Sequence, residues 1–126
     1  ANYQSVSRLP DLFSIDATPR EGAALDTLEA AIFEQLETIK QTPPNAQELA
    51  RVKTQVVADT VYQQDSMFYQ AMLIGTLESA GLSWRLKDEY DAGIRAVTAE
   101  QVQAVARRYL TPEHLTVARL VPAEAR

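Results

Sequence analysis

The chain has 126 residues, a formal net charge of -5, no Cys and one His, which excludes disulfides, thiolate chemistry and a self-contained zinc site. Acidic residues are scattered along it, and the short basic pairs Arg107-Arg108 and Arg51 with Lys53 do not form the stripe that a phosphate backbone requires. Nucleic acid is therefore not an expected partner. Hydrophobic residues at 46% and charged residues at 23% describe a folded globular chain, so one core is expected.

The sequence begins at Ala1 without an initiator Met, and we expect residues 1–126 to be a single, partial domain of a longer protein. From Asp11 to Thr18 the residues alternate, with Phe13, Ile15 and Ala17 on one face and Ser14, Asp16 and Thr18 on the other. This spacing predicts a strand bounded by Pro10 and Pro19. A second, shorter strand is expected near Tyr3 to Val6.

From Glu21 to Gln41, Leu25, Leu28, Ile32, Leu36 and Ile39 recur at helical steps opposite Asp26, Glu29, Glu34 and Glu37, predicting an amphipathic helix. Thr42-Pro43-Pro44 ends it, because proline removes ladder donors and biases the preceding residue away from the helix. Asn45, with Glu48 three residues on, then reads as a helix start, and Gly81 as a helix stop. Between them the polar run Gln63-Gln64-Asp65-Ser66 predicts a break, with Asp65 or Ser66 capping a second helix. Phe68, Tyr69, Met72 and Trp84 sit at helical spacing and are expected in the core, where Phe68→Ala would cost ~3 kcal/mol. The most apolar run, Phe68 to Leu77, contains Gln70 and Thr76 and falls short of the ~20 residues that span a bilayer.

A short helix is expected after Ser83, with Trp84, Leu86, Tyr90 and Ile94 on one side and Gly93 fraying it. Thr98 and Gln101 form a capping box, and Val102, Val105 and Tyr109 supply the apolar face of the next helix. Thr111-Pro112 reads as a turn, Leu115 to Val121 as a closing strand, and Pro122 as its end.

No arrangement of residues discloses a reaction. His114 reads as surface decoration. Ser5, Ser7, Ser14, Ser66, Ser79 and Ser83 lie outside any G-x-S-x-G elbow, with one His to serve all of them. Asp88, Glu89 and Asp91 spread round a helix and read as a solvated face. Gly22, Gly75, Gly81 and Gly93 stand singly, so no phosphate-cradling loop is present. Catalytic and metal-binding residues are accordingly none, and substrate-binding residues are unknown.

Larger runs carry a resemblance: Leu12-Phe13-Ser14-Ile15 followed by a helix, Glu48-Leu49-Ala50-Arg51-Val52-Lys53, Tyr62-Gln63-Gln64-Asp65-Ser66, Gln70-Ala71-Met72, Trp84 to Tyr90, Ile94-Arg95-Ala96-Val97-Thr98, Val102, Ala106 to Leu110, and Leu115-Thr116-Val117. Together they resemble the C-terminal portion of a domain of the insulinase/pitrilysin (inverzincin) zinc metallopeptidase family, in its short bacterial branch related to mitochondrial processing peptidase. The resemblance covers essentially the whole chain and is densest from Ile94 to Leu110.

It implies an α+β fold, helices packed on one face of an antiparallel-rich sheet, here truncated to two or three strands. It also implies the non-zinc domain of a peptidase, contributing to peptide substrate binding and closure of the proteolytic chamber. Zinc would then be held by the H-x-x-E-H motif of an N-terminal zinc domain of the same chain or of a homologous partner subunit. No residue here matches that motif. The family's R-x-x-x-G-L-x-Y-like segment is missing as well, so no role passes to Tyr3. Resemblance to bacterial members implies a periplasmic or membrane-associated setting. The alternatives are an inactive partner subunit, or a structural interaction module of α+β type without peptidase association.

Overall fold

The computed structural model describes residues 1–121. Pro122, expected to end the closing strand, lies outside them. Two strands, β1 (Asn2–Tyr3) and β2 (Phe13–Ser14), precede five helices: α1 (Leu25–Gln41), α2 (Ala46–Gln64), α3 (Met67–Ser79), α4 (Leu86–Ala96) and α5 (Ala99–Tyr109). A single 3-10 turn follows at Pro112–His114. The chain divides into two compact units: Ala1–Asp16 with Asn45–Thr98, and Ala17–Pro44 with the described residues from Ala99 onward.

The expected α+β fold is not what forms; the chain is nearly all-helical. β1 and β2 pair antiparallel, Asn2 with Ser14 and Tyr3 with Phe13, and this is the whole sheet among the described residues. Of the strand expected from Asp11 to Thr18 only Phe13–Ser14 joins a ladder, and Leu115 to Val121 forms no strand. Alternation and β-branching define which face a strand would bury, but a strand exists only where a neighbour accepts its backbone hydrogen bonds. Those neighbours are not provided within the described residues.

In the first unit, α2 packs against α3 and α4. The expected break within the long arm is present. Asn45 Oδ1 accepts from the Glu48 backbone N–H at 2.8 Å and starts α2; Ser66 Oγ accepts from the Tyr69 N–H at 3.2 Å and starts α3. At the other end of α3, Gly81 takes φ 80°. Its N–H donates to Glu78 O at 3.0 Å, and the Leu82 N–H reaches back to Leu77 O at 2.9 Å. These paired bonds form the Schellman closure that glycine permits by having no Cβ.

The face of α3 that turns inward is Tyr69, Leu73, Ile74 and Leu77, while Phe68 and Met72 lie outside it. Of the residues expected in the core, Tyr69 is partly buried, whereas Phe68, Met72 and Trp84 are exposed. Helical spacing identifies an apolar set, but in a helix apolar nearly all round it does not say which members face inward. α4 begins at Leu86, after a tight turn in which Leu86 N–H donates to Ser83 O and Lys87 N–H to Trp84 O. It runs through Gly93 to Ala96 without fraying. Lys53 Nζ donates to Arg95 O at 2.8 Å, so an α2 side chain closes the end of α4.

In the second unit, α1 packs against α5. Leu25, Leu28, Ile32, Leu36 and Ile39 are all partly buried, as their spacing predicts. The helix starts at Leu25 and not at Glu21, because Gly22 adopts φ 79° in a turn closed by Ala23 N–H to Arg20 O, and that φ is incompatible with a right-handed helix. α5 begins one residue after Thr98, as expected. Its inward residues are Val102, Gln103, Ala106 and Leu110, leaving Val105 and Tyr109 exposed; the predicted apolar face is therefore rotated. Two polar bonds set that rotation. Gln103 Nε2 donates to Lys40 O at 3.1 Å, and Arg107 Nε donates to the same carbonyl at 2.6 Å.

Candidate interaction surface

Among the described residues only Val57, Leu77 and Ala106 are buried hydrophobics. Large apolar side chains are exposed along the chain, Leu9, Leu12 and Leu120 among them, and several fall on either side of the junction between α2 and α3. Tyr62 is 78% exposed, Met67 87% and Phe68 79%, with Val61 and Met72 about half exposed. The Ser66 cap starts α3 at Met67, placing Met67 and Phe68 on its first turn.

Beside α3, the segment Gln4 to Arg8 and the helix residues Met72, Gly75, Thr76, Ser79 and Ala80 line an open groove of about 420 Å³. Gly75, Thr76, Ser79 and Ala80 on its helix side are small, and a Cβ placed on Gly75 would meet nothing within 4 Å. Ser7 folds the other wall locally, its Oγ donating to Leu9 O at 2.7 Å. Further along the same unit, the Glu78 carboxylate accepts from the Trp84 N–H at 2.9 Å. Arg85 and Lys87 stand over the Trp84 ring at 5.2 and 5.7 Å from its centroid, an arrangement in which the cations meet the negative face of the ring.

The residues weighed for chemistry are not brought together. His114 is exposed, and its Nδ1 lies 3.3 Å from Thr111 Oγ1. The Thr111 side chain, together with a backbone hydrogen bond and the adjacent His114, holds the Glu113 carboxyl below its ordinary value. Ser66 serves as a cap and Ser83 as part of a turn. Asp88 pairs with Lys87 at 2.6 Å, and Glu89 is exposed, in keeping with a solvated face. Asp91 departs from that expectation: it turns inward from α4, and its Oδ1 is buried without a hydrogen-bond partner. No group of three or more His, Asp or Glu side chains among the described residues is placed to hold a metal ion. None of the described helices is long and apolar enough to cross a membrane.

In the second unit, Arg119 forks onto α1. Its Nη1 reaches Asp26 Oδ1 at 2.8 Å and its Nε reaches Glu29 Oε2 at 2.7 Å. The reading of Leu115 to Val121 as a closing strand gave no sign of this role, because an exposed Arg in an apolar run does not announce which acids it will meet. The exposed set Tyr62, Met67 and Phe68 was likewise missed as a surface; the signal available was its position immediately beside the Gln63 to Ser66 break. Comparison with protein-family models and with curated proteins yields no match.

Proposed function

We propose that this chain is a non-catalytic portion of a zinc peptidase of the insulinase/pitrilysin type, helping to bind peptide and to close the chamber around it. The observation that carries the reading is the exposed apolar set at the α2–α3 junction, Tyr62, Met67 and Phe68. Large apolar side chains facing solvent at a helix junction are the kind of surface on which another polypeptide packs. The resemblance of the run from Ile94 to Leu110 supports, as that partner, a zinc-bearing domain carrying H-x-x-E-H, in the same protein or in a homologous subunit. Zinc and the attacking water belong to that partner.

A peptide-hydrolysis assay tests this. The chain alone, with added zinc, is expected to turn over nothing, and mixing it with the zinc-bearing domain encoded with it is expected to produce metal-dependent cleavage. The double variant Met67→Asp, Phe68→Asp should lose that complementation while keeping its helical circular dichroism. Metal-dependent turnover by the chain alone would overturn the reading.

One observation favours a second reading, a helical interaction module with no peptidase association: the sheet that the resemblance implies amounts to two residues per strand. Absence of H-x-x-E-H from both the parent gene and its neighbours would select it.

A further inference from the structure

We draw no further inference here: the strongest candidate, the open groove between Gln4–Arg8 and the small-residue face of α3 at Gly75, Thr76, Ser79 and Ala80, is a stripe of small residues against an exposed segment, and nothing in the structure shows what covers it.

Discussion

α3 and α5 are both short helices packed on a longer one, yet they are held by different forces. α3 presents Tyr69, Leu73, Ile74 and Leu77 inward, and its ends are fixed by local devices, the Ser66 cap and the Gly81 closure. Its position follows from apolar burial, a non-directional force proportional to area. α5 buries a small Ala106, and its register is fixed by Gln103 and Arg107 converging on the Lys40 carbonyl. Apolar burial and local caps hold α3, whereas α5 adds two directional bonds to the apolar face that it packs on α1. The same contrast explains the exposed surface, since a helix apolar nearly all round keeps apolar residues over after its inward face is satisfied.

Substitutions separate the two modes. Leu77→Ala removes the most buried side chain of α3, 4% exposed, and should lower stability by about 2–5 kcal/mol, measured as a shift in the urea midpoint. Ala106→Leu tests α5 from the opposite direction. Enlarging a buried Ala at a close helix contact should cost roughly 1–3 kcal/mol by overpacking, read from the same titration; a neutral result would show that α5 is not closely packed there.

Ser66→Ala should cost ~1 kcal/mol by removing the α3 cap, and Ser66→Asp should restore most of it; an unchanged thermal midpoint would mean that burial alone holds α3. Phe68→Ala is the sharpest test of the outward face. Its sequence spacing predicts a core-sized loss, but at 79% exposure the effect should stay within about 0.5 kcal/mol.

The smallest effect concerns charge. Because the folded-state value of Glu113 is depressed, its contribution is present above the ordinary carboxylate value and lost as pH falls through the folded one. Thr111→Val should raise the Glu113 titration midpoint toward its ordinary value, followed by side-chain NMR, with the global midpoint unmoved. A midpoint unchanged in the variant would remove the Thr111 hydrogen bond as the cause.

What could be read from the sequence was set by neighbours along the chain. Asn45 reaching Glu48, Ser66 reaching Tyr69 and Gly81 closing on Glu78 all act within a few residues, so their residue types are sufficient evidence. The amphipathic stripe of α1 was legible for the same reason. The strands were not, because Phe13 needs Tyr3 and the residues from Leu115 to Val121 need a neighbour that nothing local specifies. Nor could spacing decide which apolar residues of α3 and α5 face inward. Phe68 and Leu73 are both large and apolar at helical positions; they differ in what the fold brings alongside, as do Val105 and Val102. The candidate surface was hidden by that same ambiguity, and the inward turn of Asp91 by the position of α4 on α2.

Both compact units are assembled from separated stretches, with chain transitions at Asp16–Ala17, Pro44–Asn45 and Thr98–Ala99. Neither unit can be excised as one continuous segment. During synthesis, α1 leaves the ribosome long before α5, with all of 45–98 made in between. At a translation rate of roughly 5–20 residues per second, Leu28, Ile32 and Leu36 wait uncovered for seconds, far longer than a helix takes to form. The thermodynamic cost of that long closure is modest, about 0.6 kcal/mol for each doubling of loop length. Its kinetic consequence is larger: α1 is the stretch of a nascent chain on which self-association should start.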